Sequence, residues 1–206
     1  MSAHGPLPRA FYERDAVRLA RALLGRIVVH RTREGTVAAR IVETEAYRGP
    51  ADRAAHTFGG RRTPRNEVMW GPAGHAYVYF VYGMHWCLNA VAAGEGIPEA
   101  VLLRAAEPLE GLDLARSRRA RPVRDALLLS GPANLCRALG VDRARNGADL
   151  TAGGDLVIAA GEPPSRARIR ATPRIGVAYA GADALRPWRF VLAGSPALSG
   201  PPRLRP

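Results

Sequence analysis

Eight short runs of strand-forming residues constrain the fold of this chain more than any other feature. Each run is apolar or alternates apolar with polar residues, and turn-forming residues separate the runs, as is typical of β-strands. The predicted strands cover residues 26–30, 37–46, 76–82, 86–92, 100–105, 156–159, 174–179 and 188–192. Helical segments are too few to connect all of these strands as parallel crossovers. We therefore predict an α+β fold in which helices flank a mixed or antiparallel sheet.

Three segments between or before the strands carry helix signals. The predicted helices cover residues 16–24, 109–119 and 132–139. For the first of them, Asp15 is a suitable N-cap and Gly25 a suitable C-terminal stop. For the last, Ser130 and Pro132 resemble a cap and a first turn, and Gly140 follows the final residue.

Length and composition indicate one domain. A chain of 206 residues with 47% hydrophobic residues can bury one sizeable core. We predict a single domain over residues 1–206, with an ordered core from about residue 7 to residue 196. The last segment, 197–206, is rich in proline, and we expect it to be a loose tail.

The sequence contains no signals of a membrane span, a signal peptide, a cysteine pair or a metal site. No apolar run approaches the roughly 20 residues that a membrane-spanning helix needs, and the N-terminus lacks the apolar core of a signal peptide. We therefore expect a cytoplasmic protein that does not contact a membrane. Cys87 and Cys136 have no CxxC spacing and are predicted to be reduced packing residues. No HExxH or comparable spacing joins His56 or His75 to the glutamates, so the sequence predicts no metal site.

The charge of the chain points to a polyanionic partner. The net charge is +12, and all 30 basic residues are arginine. Arginines placed on phosphates release condensed counterions, which favours binding to DNA, to RNA or to an acidic membrane without distinguishing them. A GC-rich genome also explains the arginine bias. Because lysine is absent, only a terminal amine could form a Schiff base with an opened sugar.

Two carboxylates and a tyrosine fall on one face of the second predicted strand. Glu43, Glu45 and Tyr47 share that face because side chains alternate with period two. We expect Glu43 to reach solvent, as charged side chains usually do. His56 follows through a Gly-Pro turn that could fold it back towards Glu45 and Tyr47. A lone histidine is usually structural, so a functional interpretation depends on the whole set.

An aromatic strand follows, and it ends in a glycine turn. Alternation places its residues on two faces: Tyr77, Tyr79 and Val81 on one, and Val78, Phe80 and Tyr82 on the other. Most strand aromatics are core residues. Gly83 permits a tight reversal, so Tyr82 is predicted at the tip of a hairpin. An exposed ring there would suit insertion between base pairs.

Arg104 follows the apolar run 100–103 and is predicted to be buried. A buried guanidinium needs a partner, and the sequence leaves two open: Glu45, directly or through a water, and Glu107. A second group of arginines lies at the end of a predicted helix and in the loop after it: Arg116, Arg118, Arg119, Arg121 and Arg124. This group either contacts phosphates or faces solvent.

These motifs occur in a fixed order along nearly the whole chain. They are ETEAY, a histidine nine residues after its tyrosine, GGRRTPRN, YVYFVYGM, VLLRAAEPLEG, SGPANLCRAL, RIGV and WRFVLAGSP. From about residue 7 to residue 196, the chain resembles the alkyladenine DNA glycosylase family, also called 3-methyladenine or methylpurine DNA glycosylases. The resemblance implies a single mixed α/β domain with a curved antiparallel sheet, no metal or cofactor, and a protruding β-hairpin that enters the minor groove.

The resemblance also implies roles for individual residues. Glu45 is similar to the general base that deprotonates the water attacking C1′ of a flipped nucleotide. Arg104 corresponds to the residue that helps to hold this water, and the backbone carbonyl of Ile175 to its third contact. Tyr82 matches the residue wedged into the duplex, with Met84 beside it.

A pocket for the extruded base is implied in the same way. It consists of three ring-bearing residues: Tyr47, His56 and Tyr79. Asn89 corresponds to the asparagine that crowds the exocyclic amine of normal guanine. The chain departs from the family pattern at His85, where better-known members carry another aromatic residue, and at 94–99, which is slightly longer than the family loop.

The sequence therefore predicts a monofunctional DNA N-glycosylase that leaves an abasic site in base excision repair. Its expected partner is double-stranded DNA containing alkylated purines, with deaminated purines as a further class, and a monomer suffices for one docking face. The alternative is a catalytically silent module that recognises distorted DNA or structured RNA with the same hairpin. Such a module would not need the set around Glu45 and Arg104.

Overall fold

A computed structural model describes residues 5–205 and shows one curled antiparallel sheet with helices packed against it. The strands are β1 Ile27–Thr32, β2 Gly35–Tyr47, β3 Ala76–Val81, β4 His85–Ala92, β5 Glu99–Glu110, β6 Leu156–Ala159, β7 Ile169–Thr172 and β8 Arg189–Leu192. The α-helices are α1 Arg9–Tyr12, α2 Ala16–Leu23, α3 Leu112–Ser117 and α4 Pro132–Leu139. No helix in this part of the chain has the length and apolar character of a membrane span. The predicted α+β class is confirmed.

Strand β2 is the centre of the sheet. The strand order is β3-β4-β5-β2-β1-β6, and β8 joins it by pairing with β2 and β7. Strand β5 runs along one edge of β2, while β1 and then β8 share the other edge. The second half of β2 therefore lies between β5 and β8, covered on both edges.

The core lies where helices α2 and α4 pack against the sheet. Helix α2 contacts β2 and β5, and α4 contacts β4 and β5. As predicted, the Asp15 side chain caps α2 by accepting from the Arg18 backbone N–H at 2.9 Å. Four leucines of the two helices are fully buried: Leu19, Leu23, Leu135 and Leu139. Each such side chain stabilises the fold by roughly 1.5–3 kcal/mol. Cys87 and Cys136 are also buried and unpaired, as expected for packing residues.

The strand predicted at 174–179 does not form, and the strand of this region is β7, which precedes it. After β7 the backbone turns, because the Ile175 N–H donates to the side chain of Glu45 and Gly176 has a φ of +80°. A backbone N–H that binds a carboxylate is not available to a strand ladder.

The second predicted helix is shorter in the structure, because residues 109–110 belong to β5. Gly111 then breaks the strand with a φ of +75°, and a Cβ there would lie 2.1 Å from the Thr36 carbonyl oxygen. Only glycine permits this approach. Helix α4 begins without a side-chain cap, since the Ser130 hydroxyl donates to the Leu198 carbonyl at 3.1 Å.

The C-terminal segment packs against the sheet. Ala197, Leu198 and Ser199 are buried. Further on, the Leu204 carbonyl accepts a hydrogen bond from Arg189 Nη1 at 2.8 Å. The expectation of a loose tail over residues 197–206 is therefore wrong for the start of this segment, because its small and apolar side chains find cover that composition alone did not reveal.

Candidate active site

The second half of β2 carries two glutamates into the interior. Glu43 and Glu45 both lack exposed surface. The pairing of β2 with β5 shifts register on each side of Glu43, as in β-bulges, which redirect side chains. Strand β8 covers the other edge, where Glu43 lies opposite Val191 and Glu45 opposite Arg189. The expectation that Glu43 reaches solvent is therefore wrong.

Three groups hold the Glu45 carboxylate. Its Oε1 accepts from the Ile175 backbone N–H at 2.7 Å. Its Oε2 accepts from the Tyr47 hydroxyl at 2.9 Å and from Arg104 Nη1 at 3.3 Å. A buried carboxylate needs such donors to offset its lost hydration. The structure thus brings together four residues that the sequence had singled out, although Ile175 makes its contact to Glu45 through the N–H group.

Arg104 lies between both glutamates. Of the two partners that the sequence left open, Glu45 and Glu107, the structure shows Glu45. Its Nε donates to Glu43 Oε1 at 2.9 Å and its Nη2 to the Ser199 hydroxyl at 3.1 Å. Glu107 pairs with Arg40 instead. Burial alone would lower the pKa of Arg104, but the two glutamates outweigh burial and raise the pKa. The guanidinium therefore stays charged.

A second buried arginine stabilises Glu43. Arg189 has no exposed side-chain surface and donates through Nε to Glu43 Oε1 at 2.7 Å. Burial by itself would raise the pKa of Glu43, but Arg104, Arg189 and the Ser199 N–H outweigh it and hold the pKa below its usual value. No sequence pattern had pointed to Arg189, because its partners lie far away along the chain.

An aromatic pocket opens beside this cluster, with a cavity volume of about 50 Å³. The residues that line it are Tyr47, Ala54, His56, Met69, Tyr77, Tyr79, Asn89, Ala100 and Tyr179. All four residues predicted for a base pocket are among them. Asn89 is held in place because its Nδ2 donates to the Tyr77 carbonyl at 2.9 Å.

The rings of the pocket are fixed by contacts with one another. His56 packs edge-on against Tyr79 with ring centroids 4.6 Å apart, and its Nδ1 lies 2.7 Å from the Tyr77 hydroxyl. Burial lowers the pKa of His56 to about 4, and the positive charges of Arg65 and Arg61 add to this effect. The imidazole is therefore neutral at pH 7.

Tyr47 is supported by a buried ion pair that the sequence did not reveal. The Arg174 guanidinium lies 4.8 Å from the centre of the Tyr47 ring. Arg174 is itself held by Asp52 through two hydrogen bonds of 2.6 and 2.8 Å. Because a guanidinium covers one face of the ring, a ligand can stack only on the other face. Arg174 begins the RIGV motif, yet nothing in that motif identified Asp52 as its partner.

A wider cleft connects the pocket, the Glu45 cluster and the hairpin. Arg104 and Ile175 line this cleft, together with Tyr82 and His85 near the hairpin. Glu45 has no exposed surface of its own. Its hydrogen-bond partners Tyr47, Arg104 and Ile175 therefore separate it from the cleft. Within residues 5–205, no group of three or more His, Cys, Asp or Glu side chains is arranged to hold a metal ion.

The hairpin formed by β3 and β4 carries exposed apolar side chains at its tip. Tyr82 is 81% exposed and Met84 is 65% exposed. Tyr82 and Gly83 have φ values of +53° and +67°, the pair of positive angles typical of a type I′ turn. For tyrosine this conformation costs roughly 1–2 kcal/mol, and such strain is typical of functional positions. The turn also directs Tyr82 to the cleft that Tyr79 borders, whereas strand alternation had placed it on the face of Phe80.

The departures from the family pattern lie at different distances from the pocket. His85 lines the cleft, whereas no residue of 94–99 belongs to the described lining of the pocket or the cleft. The end of that segment is fixed by Glu99, which accepts from the Ala16 N–H at 2.7 Å. Tyr179, which the sequence did not single out, is 72% exposed and borders both pocket and cleft.

The arginine group at the end of α3 and beyond it mostly binds partners within the protein. Arg116 binds two aspartates, Arg118 pairs with a glutamate and Arg119 donates to an asparagine. Arg121 and Arg124 have no hydrogen bond or ion pair with side-chain partners in the described chain. At most these last two are free to contact phosphates without breaking existing contacts.

Comparisons with known proteins point to one family. The model of the methylpurine-DNA glycosylase family matches residues 10–196. A protein of Methanocella arvoryzae, whose name provisionally describes a 3-methyladenine DNA glycosylase, is 51% identical over 193 residues, which cover 94% of this chain and 95% of that protein. The DNA-3-methyladenine glycosylase of Mus musculus is 45% identical over 206 residues, which cover 95% of this chain and 61% of the mouse protein.

The chain is accordingly an enzyme of the DNA glycosylase class, a hydrolase that acts on N-glycosyl bonds, and not a catalytically silent binding module. Within that class it belongs to the methylpurine-DNA glycosylase family, as the sequence motifs had indicated.

Proposed function

We propose that this glycosylase excises 3-methyladenine and related alkylated purines from double-stranded DNA, using a water that Glu45 activates. The observation that carries the proposal is the position of Glu45. Its buried carboxylate is held by Arg104 and the Ile175 N–H, directly beside a pocket walled by aromatic rings. The names of the relatives, which refer to 3-methyladenine, support the substrate class.

The pocket suits a flat, positively charged base. Alkylation at a ring nitrogen gives the purine a positive charge, and aromatic faces attract a cation by roughly 0.5–2 kcal/mol. His56 does not oppose this charge, because its lowered pKa keeps it neutral at pH 7. The fixed amide of Asn89 would crowd the exocyclic amine of guanine. Deaminated purines, which carry an oxygen in place of the adenine amine, are a second substrate class that we propose.

The reaction is a hydrolysis. The water oxygen forms a bond to C1′, the bond from C1′ to the purine nitrogen breaks, and its electron pair leaves with the base. The proton lost by the water passes to Glu45. A positioned proton transfer of this kind typically contributes roughly 10² to 10⁴ in rate. Arg104 orients the water, and the Ile175 N–H fixes the other carboxylate oxygen.

One contact must change before the water can bind. In the structure the Tyr47 hydroxyl donates to Glu45 Oε2, and the longest of the three contacts to this carboxylate is the 3.3 Å one from Arg104 Nη1. We infer that the water lies between Arg104 and Glu45 once the bound nucleotide has displaced the hydroxyl of Tyr47. Hydrogen bonds of catalytic groups are often rearranged in this way when substrate binds.

The hairpin supports extrusion of the nucleotide. Flipping a base out of the duplex costs a few kcal/mol, and stacking in an aromatic pocket returns roughly 1–3 kcal/mol. We propose that Tyr82 enters the minor groove and fills the gap, with Met84 beside it. Their exposure of 81% and 65% leaves both side chains free to do so.

The product is an intact strand with an abasic site, the substrate of the next step in base excision repair. Lysine is absent from the chain, so no lysine amine is present to form a Schiff base with the sugar. We therefore propose water as the nucleophile. A monomer in the cytoplasm stays our prediction from the sequence.

Incubation of the purified protein with methylated duplex DNA tests this function. We expect release of the free methylated base, a strand that breaks only after alkali, and no covalent protein–DNA adduct after borohydride treatment. An adduct, or a strand break without alkali, would rule out water as the nucleophile. Parallel assays with 7-methylguanine, hypoxanthine and ethenoadenine would define the substrate range, and failure to release any alkylated purine would refute the proposed class.

A further inference from the structure

We infer that Ser199 and Glu43 are positioning residues that hold the Arg104 guanidinium in the orientation that serves Glu45. Through Ser199 the segment 197–204 becomes part of the active centre. This inference rests on the proposed roles of Glu45 and Arg104 as the pair that activates water.

The contacts of Arg104 show which groups fix the orientation of its guanidinium. Only Nη1 faces Glu45, whereas Nε donates to Glu43 and Nη2 to Ser199. An arginine without such anchors prefers to bind a carboxylate through two parallel hydrogen bonds. A two-bond contact to Glu45 would engage Oε1 as well as Oε2, although Oε1 already accepts from the Ile175 N–H. The anchors keep the contact to Glu45 single and its length at 3.3 Å.

Glu43 is the fixed end of this arrangement. It accepts from Arg104 Nε at 2.9 Å, from Arg189 Nε at 2.7 Å, and from the backbone N–H and hydroxyl of Ser199 at 2.6 and 2.8 Å. Two carboxylates and two guanidiniums therefore balance in charge inside the protein. Glu43 does not line the pocket or the cleft, so its contribution to catalysis would act through Arg104.

Ser199 connects the two charged groups. Its hydroxyl donates to Glu43 and accepts from Arg104, and the residue is only 3% exposed. The next residue also approaches the site, because a Cβ on Gly200 would lie 3.1 Å from the Ile175 side chain. Ile175 is the residue whose N–H holds Glu45. The C-terminal segment therefore contacts the supports of both catalytic groups, although it lies beyond the family match, which ends at residue 196.

The test compares Ser199→Ala with the matched control Ser195→Ala. Ser195 is a buried serine just before this segment, and its hydroxyl donates to Glu107 and makes no hydrogen bond with Arg104. Hydrogen bonds to charged groups are strong, so we expect Ser199→Ala to lower the single-turnover excision rate by about tenfold. Affinity for lesion-containing DNA should stay within about twofold, because Ser199 lies outside the pocket. Ser195→Ala should keep the wild-type rate, with a similar loss of thermal stability.

Equal rates for the two folded variants would overturn the inference, as would a loss that appears only in DNA affinity. Ser199→Thr keeps the hydroxyl and should restore most of the rate. If Ser199→Ala does not fold, Ser199→Cys keeps the volume and weakens both hydrogen bonds, and a wild-type rate for it would equally refute the role. Glu45→Gln separates the two proposals: excision by that variant at the wild-type rate would refute the proposed function itself, whereas its inactivity combined with a normal Ser199→Ala rate would refute only the role of Ser199.

Discussion

At the scale of single residues, the site shows how partners assign different tasks to identical side chains. Glu43 and Glu45 are two positions apart and equally buried. Arg104 binds both glutamates and lines the cleft. The other partners of Glu43, Arg189 and Ser199, are outside the cleft lining, whereas Tyr47 and Ile175, the other partners of Glu45, belong to it. The spacing of the two glutamates in the sequence identifies the pair, but only the partners indicate which one can meet a substrate.

His56 provides a prediction of pH dependence. Its pKa is lowered to about 4 by burial and by nearby arginines, against an ordinary value of 6.5. The unfolded state therefore binds the proton first, and His56 should reduce stability progressively as the pH falls from about 6.5 to about 4. In an NMR titration we expect the His56 Cε1 resonance to stay constant down to pH 5 and to shift near pH 4. Comparison with His56→Gln assigns the signal, and a midpoint near 6.5 would contradict the buried, neutral ring.

Several site residues could be predicted from the sequence because they lie in contiguous, distinctive motifs. Glu45 and Tyr47 share ETEAY, and Arg104 ends an apolar run that requires it to be paired. Arg189 and Asp52 could not be predicted, since their importance depends on partners more than 100 residues away along the chain. A buried ion pair of this kind is a property of the fold.

At the scale of elements, the hairpin formed by β3 and β4 combines a buried base with an exposed tip. Its base is buried in the sheet, where Tyr77 and Asn89 pair across the strands. Its tip presents Tyr82 in a left-handed conformation, with little contact to the rest of the protein. A rigid base and an exposed ring are suited to insertion into a duplex.

Replacing Tyr82 by alanine tests the hairpin. We expect Tyr82→Ala to weaken binding to lesion-containing duplex DNA by roughly tenfold or more, since a stacked ring contributes about 1–3 kcal/mol. Excision from single-stranded DNA should change much less, because no gap has to be filled there. Leu109→Ala, which truncates an exposed apolar side chain on β5, is the matched control. Equal losses on duplex and single-stranded DNA would contradict the wedge role.

Elements whose ends are marked by residues in the local sequence were predicted well. Elements whose formation depends on contacts with distant parts of the chain were not. Helix α4 lies between Gly131 and Gly140 and agrees with its predicted bounds. The segment 174–179 has the composition of a strand, but the Ile175 N–H is taken by Glu45 from another strand. That competition arises only in the folded chain, and it turns the segment into a wall of the active site.

At the scale of the whole molecule, the charges of the buried cluster balance one another, and the net positive charge lies outside that cluster. The buried cluster of Glu43, Glu45, Arg104 and Arg189 is neutral, while the chain as a whole carries +12. The excess is therefore available to the DNA backbone, and association should weaken as salt rises. The sheet provides a rigid frame for the active site, and the C-terminal segment binds to this frame where Ser199 contacts Glu43.

The proposed reaction depends on Glu45 as the group that activates water, and Glu45→Gln tests this role most directly. The substitution keeps the shape of the side chain and removes its capacity to accept a proton. Glu110→Gln, at an exposed position of β5, is the control for the change in charge.

The measurement is the single-turnover rate of base release from methylated duplex DNA, with lesion binding recorded on the same samples. We predict that Glu45→Gln binds the lesion and releases base roughly 10² to 10⁴ times more slowly than wild type, while Glu110→Gln is unaffected. Release by Glu45→Gln at the wild-type rate would contradict the account.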